Sequence, residues 1–263
     1  ITTNMAKPRN RIFSKTPKGP KPFSKQKPKD SSTLPDGYER LERAIAYKGL
    51  ASRREAKELI KNGSVTVNGK IVKETGFGIL PEKDVIAVKN ISNTPKEAIL
   101  VYKPRGIETS KTAPENKDIH DRLPALSHLA PIGRLDKDSE GLIILSNDGT
   151  LARSLTKENS NIEKEYLVTV REIVTPEALT RLSTGIMLDK VMTKPAKTKK
   201  VSKSSFTIIL QEGRKHQIRR MCDACRLTIE SLVRVRIGHL KIGSMKPGFV
   251  KRIPTKDIEL LKK

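Results

Sequence analysis

Apolar residues fall along this chain in three regimes. Through the first 36 positions they recur with no period; from 41 to 72 they follow helical and then alternating spacing; beyond 98 they gather into short runs. Leu41, Ile45 and Leu50 mark a first short amphipathic helix. Ser52-Arg53-Arg54-Glu55 has the form of a capping box and opens a second, with Ala56, Leu59 and Ile60 as its apolar face and Asn62-Gly63 as its end. Val65 and Val67 then alternate with polar residues, Asn68-Gly69 supplies a type I′ turn, and Ile71-Val72 begins the return strand. Later apolar runs predict strands over 98–102, 142–145, 165–170, 205–210 and 232–236, with helices over 150–155, 176–183 and 216–225. Strands separated by helices, with hairpin-like returns, predict an α+β chain whose mixed, mainly antiparallel sheet is flanked by helices.

The same pattern divides the chain. Residues 1–37 read as a disordered basic tail: up to position 36 they hold nine Lys or Arg against Asp30 and Asp36, with six interleaved prolines, too little apolar surface for a core. Residues 38–89 form a small helix–helix–hairpin unit, 90–97 a polar linker and 98–263 the larger domain.

Charge narrows the class of partner. Fifty-three Lys and Arg against 29 Asp and Glu give a net charge of +24, which favours a polyanion, RNA or DNA. No window approaches the roughly 18 uninterrupted apolar residues of a spanning helix, and the start lacks a signal-peptide core. The expectation is a cytoplasmic monomer with no membrane partner. Cys222 and Cys225 make one C-x-x-C pair without the further ligands that a structural zinc needs, so they read as two reduced thiols on a helix.

Candidate chemistry concentrates in three segments of the larger domain. Residues 133–149 place Asp136 between Arg134 and Lys137, just before the apolar run Leu142–Leu145. Opposite charges at that range favour an ionised carboxylate, one able to act as a nucleophile. Lys164-Glu165-Tyr166 sets an aromatic hydroxyl near the start of a strand, and Glu212 to Met221 is a turn feeding a basic helix, containing Arg214, His216, Gln217, Arg219 and Arg220. Lys103-Pro104-Arg105-Gly106 is a turn that presents two further cations. In the small unit, Arg53 and Arg54 occupy the first turn of a capped helix, where they oppose the helix dipole unless an anion is near, a placement suited to phosphate. Asp136, Asp138 and Glu140 mimic the opening of a calcium loop, but its twelfth position is Asn147. A magnesium nuclease is disfavoured because Lys137 intervenes and no second acidic cluster lies on a comparable strand end.

Two resemblances follow from these residues. The run from Glu39 through Ser52-Arg53-Arg54-Glu55-Ala56 to Val67-Asn68-Gly69 resembles the alpha-L RNA-binding module first described in a small-subunit ribosomal protein. Gly133-Arg134-Leu135-Asp136, Tyr166 and Gln217-Ile218-Arg219-Arg220-Met221 together resemble the RsuA-type ribosomal RNA pseudouridine synthases, over residues 39–261. This resemblance implies site-specific conversion of uridine to pseudouridine in ribosomal RNA, with Asp136 as catalytic aspartate, Tyr166 as active-site tyrosine and Arg219 as the aspartate's partner. It further implies Arg134 in the space vacated by a flipped base, no cofactor or metal, and a leaning toward large-subunit RNA. Arg53, Arg54, Lys103, Arg134, Arg214, His216, Gln217 and Arg220 are the expected RNA contacts. Ser139 and Ser146 stand where the family usually has threonine, and Tyr102 where asparagine commonly precedes Lys-Pro. The alternative is a non-catalytic assembly factor that keeps only its grip on precursor ribosomal RNA.

Overall fold

The computed structural model describes residues 34–89, 95–109, 118–157 and 160–262. The basic tail up to residue 33 and most of the expected linker lie outside them.

The small unit is built as its apolar spacing requires. Helices α1 (Leu41–Tyr47) and α2 (Arg53–Lys61) bury Leu41, Ile45, Ala56 and Ile60 against Val65 and Ile79. The capping box closes both ways: Glu55 N–H donates to Ser52 Oγ at 3.2 Å, and Ser52 N–H to Glu55 Oε2 at 2.7 Å. α1 stops before Leu50, which packs on the same core from the turn that Gly49 makes at φ 69°. Strand β1 (Val65–Val67) pairs with β2 (Lys70–Ile71) across Asn68 and Gly69, whose φ values of 51° and 78° are those of the type I′ turn. β3 (Ile86–Val88) pairs along the other edge of β1.

The larger domain is organised by one twisted sheet. In chain order its main strands are β4 (Ala98–Lys103), β5 (Glu140–Ser146), β6 (Lys164–Val170), β7 (Lys197–Lys200), β8 (Ser205–Leu210), β9 (Ile229–Ile237) and β10 (Val250–Arg252). They lie in the order β7-β8-β6-β9-β5-β4-β10. The β9–β5 pairing is parallel and the other neighbours run antiparallel. Helices α3 (Gly149–Thr156), α4 (Pro176–Thr184), α5 (Gln217–Ala224) and α6 (Thr255–Lys262) flank it. The mixed, mainly antiparallel sheet expected from the sequence is therefore present.

β5 shows why its sequence is an unbroken apolar run. Leu142 and Ile144 face a cluster with Leu151, Leu155, Ile258 and Leu261, while Ile143 and Leu145 face one with Ile99, Val101 and Ile119. A strand covered on both faces loses the polar alternation of a half-solvated one. The two edge strands, β7 and β10, were not predicted. Lys197-Thr-Lys-Lys200 carries no apolar period, and its lysines keep a sheet edge solvated and discourage further pairing. α4 and α5 cover a third cluster, around Phe206, Ile208, Met221 and Cys222. Burial there pushes the Cys222 thiol up to about 12, so it stays protonated and packs as a small apolar group.

Two close approaches set the geometry of these elements. Gly149 lies so near the Ala46 carbonyl that a Cβ would collide with it, and the Arg153 guanidinium sits 4.6 Å from the Tyr47 ring centroid. Those contacts join α1 to α3. Gly141, at φ 105°, faces the Arg234 backbone across the parallel β5–β9 pairing.

A Gly141→Ala substitution would therefore combine a strained φ with a collision against main chain. It is expected to cost roughly 2–4 kcal/mol, measured by urea unfolding; a cost below about 0.5 kcal/mol would show that the β5–β9 spacing is not tight.

Candidate active site

β4 ends by driving a lysine into the interior. Lys103 is fully buried, and its Nζ donates to the carbonyls of Ile107 at 2.7 Å, Pro104 at 2.8 Å and Lys137 at 3.4 Å. Burial pushes its pKa down to about 8, although Glu140, Asp136 and Asp138 pull the other way. Gly106 N–H also donates to the Lys137 carbonyl, at 2.8 Å. Upstream, Thr109 Oγ1 donates to the Leu135 carbonyl at 2.7 Å and accepts from Leu135 N–H at 2.9 Å. The Leu135–Ser139 turn, closed by Ser139 N–H on the Asp136 carbonyl at 3.1 Å, is thus anchored at both ends.

The turn presents Asp136 partly exposed. Its Oδ2 lies 3.3 Å from His216 Nδ1 and 3.9 Å from Arg219 Nε. His216 caps α5 in the left-handed region, at φ 52°. Arg219, one turn further on, directs Nη2 at the Asp138 carbonyl, 3.0 Å, and at Ser139 Oγ, 3.1 Å. It therefore binds the aspartate's own turn as well as approaching its carboxylate.

Tyr166 comes from β6, between Ile208 of β8 and Arg234 of β9 in the sheet register. The start of that strand is fixed by Arg236, which bonds Glu165 at 2.8 Å and Glu163 at 3.0 Å. Asp136, Tyr166, Arg219, His216 and Arg134 all line one cleft of about 580 Å³, large enough for a nucleotide. A carboxylate, an aromatic hydroxyl and several cations share one open site. On the small unit, Arg40, Arg43, Arg53, Arg54 and Lys57 line a second cleft with Glu42, of about 380 Å³.

Comparison with known proteins bears directly on this arrangement. Residues 97–224 match the family model described as RNA pseudouridylate synthase, and residues 39–86 match the S4 domain. The chain is 36% identical over 236 residues to the ribosomal large subunit pseudouridine synthase B of Bacillus subtilis, covering 85% of this chain and 96% of that protein. The chain belongs to the RNA pseudouridine synthases. It is also 37% identical over 220 residues to the dual-specificity RNA pseudouridine synthase RluF of Escherichia coli, covering 82% of this chain and 75% of that protein. A crystal structure of a pseudouridylate synthase superposes with a TM-score of 0.64 at 29% identity, over 84% of this chain and 99% of that one.

Of the residues picked out in the sequence of this synthase, Asp136, Tyr166 and Arg219 meet in one cleft, with Arg134 exposed on its wall. Arg53 and Arg54 are exposed beside the second cleft. Two expected RNA contacts are corrected. Lys103 is wholly buried beneath the Asp136 turn. Gln217 is buried too: it donates to Glu212 Oε1 at 2.6 Å and accepts from Arg214 N–H at 2.9 Å. Arg214 and Arg220 are turned to Val191, Met192 and Asp189, and His216 stands closer to the Asp136 carboxylate than Arg219 does. Sequence reasoning missed Thr109 and Ser139, which fix the Asp136 turn. Isolated hydroxyl residues in loops give no periodic signal, and their value depends on what the fold brings opposite them.

Replacing Lys103 with Met would leave three interior carbonyls without their donor, at an expected cost of about 2–3 kcal/mol. The sign with pH follows from the lowered pKa. Below about pH 8 the ammonium is charged in both states and burial opposes folding; from pH 8 toward the unfolded value near 10.5 the native form binds fewer protons, and that opposition fades. The stability gap between the native protein and Lys103→Met should therefore widen from pH 7.5 to pH 9.5 in urea titrations. A gap that narrowed over that range would refute this account of Lys103.

Proposed function

We propose that this synthase isomerises a specific uridine in ribosomal RNA, of the large subunit, with Asp136 as its nucleophile. The observation that carries the reading is the placement of Asp136: a carboxylate on a turn tied at both ends, facing His216 and Arg219 within 4 Å, with Tyr166 on the same cleft. The Bacillus relative is a synthase of the ribosomal large subunit, which supports a ribosomal substrate, and RluF is a dual-specificity RNA pseudouridine synthase, which supports RNA.

The reaction breaks the bond from C1′ to N1 of uridine, turns the base and joins C5 to C1′. The C5 proton is lost and N1 gains one, so no oxidant or reductant enters. Asp136 attacks and holds the intermediate; covalent catalysis of this kind divides one difficult step into easier ones. Arg219 supplies positive charge beside the carboxylate and holds the turn that bears it. Tyr166 stacks on the base and lies on the cleft wall from which a proton can be removed. Taking the base out of its helix costs a few kcal/mol. Arg134, exposed on the cleft wall, fills the space the base leaves, and the arginines of the small unit hold RNA phosphates. None of these steps needs a metal or an organic cofactor. The protein acts as a monomer in the cytoplasm, where its substrate lies.

Carbodiimide mapping with primer extension on ribosomal RNA, from cells lacking the gene and complemented with either form, tests this directly. One uridine should lose its modification without the gene and regain it only with Asp136 intact; Asp136→Asn should abolish conversion while holding RNA affinity within about threefold. Identical maps in all strains would instead favour a non-catalytic assembly factor.

A further inference from the structure

A short hairpin beside the cleft carries an apolar surface that the fold does not use. Met187–Leu188 pairs with Val191–Met192 across Asp189 and Lys190, whose φ values of 52° and 62° make a tight turn. Leu188 and Ile186 point into the core, and Thr193 bonds the hairpin base to Ile186 at 2.9 and 3.0 Å. Met187, Val191 and Met192 are 57, 56 and 53% exposed. The other large exposed apolar side chains among the described residues are scattered, with no second segment of six residues that holds three.

This hairpin is wired to the catalytic cleft. Arg214, on the cleft wall, donates Nη1 to the Val191 carbonyl at 3.0 Å and Nη2 to that of Met192 at 2.7 Å. Arg220, adjacent to Arg219 on α5, makes a two-pronged pair with Asp189 at 2.6 and 2.9 Å. Glu212, also on the cleft, accepts from Lys194 N–H at 3.1 Å. Two arginines are thus committed to holding the six hairpin residues and a carboxylate to the chain just beyond them, a costly arrangement for a loop that only connected strands.

Exposed methionines on a tethered hairpin, with Lys190 in its turn and Lys194 just beyond it also exposed, have the make-up of a surface for nucleic acid. The cations meet phosphate, and flexible apolar side chains fill the gap between unstacked bases. A membrane or protein partner would not explain why the tethers run to Arg214 and Glu212 on the wall of the Asp136 cleft.

We infer that the Met187–Met192 hairpin is an RNA wedge: the exposed apolar side chains of its strands pack against bases next to the target uridine, and Arg214 and Arg220 are positioning residues that hold it there. This deepens the proposed function and rests on it for the identity of the RNA. The test uses full-length protein carrying Asp136→Asn, so that binding is read without turnover, and transcribed large-subunit ribosomal RNA as probe. Changing Met187, Val191 and Met192 together to Ser should raise Kd at least tenfold while leaving the melting temperature unchanged. Asp189→Asn, which weakens the Arg220 tether but leaves the exposed apolar side chains in place, should raise Kd in the same direction by a smaller factor. Ile173→Ser, an exposed apolar residue outside the hairpin, serves as control and should change nothing. If Kd of both hairpin variants stays within twofold of the parent, the wedge is overturned. In parallel, pseudouridine formation by protein with Asp136 intact is measured on the same RNA. Its absence would remove the catalytic reading, while the Kd comparison would still decide whether the hairpin grips RNA.

Discussion

An ammonium group with no water around it is tolerated only where the backbone supplies its hydrogen bonds, and Lys103 meets that condition with three carbonyls from two loops. Satisfying one buried charge thereby fixes the end of β4, the turn after it and Lys137, the neighbour of Asp136. The turn that bears Asp136 inherits its position from this bond set and from Thr109 on the other side. Precision of that kind is what a covalent mechanism needs, because a reacting carboxylate displaced by an ångström loses its alignment.

The strong positive charge of the chain is divided between two tasks. One set of cations is spent internally: Arg236 on Glu163 and Glu165, Arg220 on Asp189, Arg219 on the Asp138 carbonyl, Arg234 on the Leu142 carbonyl. These pair with acceptors that would otherwise be exposed or unsatisfied, and they lock strand starts and turns around the cleft. The other set, Arg134 at the first cleft and Arg53 and Arg54 of α2 at the second, stands exposed. Counting charges on the sequence sees only the sum. Lys103 and Gln217 were assigned to RNA because a polar residue inside a basic motif resembles a surface residue until burial is known.

The RNA pseudouridine synthase family was legible because its motif residues are local in sequence: Gly133 to Asp136 in one turn, Gln217 to Met221 on one helix. Helices α2 to α5 were legible for a related reason, since caps and apolar spacing act within a few residues of each other. The capping box at Ser52 is the clearest case, a pair of hydrogen bonds written in four consecutive positions. The edge strands β7 and β10 were not legible, because an edge strand is held by its neighbour's hydrogen bonds and asks little of its own side chains.

By itself the sequence determined the α+β class, the strong positive charge and the motifs that place the chain in its family, all of which follow from short-range pattern and composition. Tertiary structure alone decided that His216 stands closer to the Asp136 carboxylate than Arg219 does, that Lys103 lies beneath it, and that Arg214 and Arg220 face a hairpin 22 to 31 positions away. The reason is physical. Which acceptor a long cationic side chain finds depends on what the sheet order brings within 3 Å of its tip, and that order couples positions the chain keeps far apart.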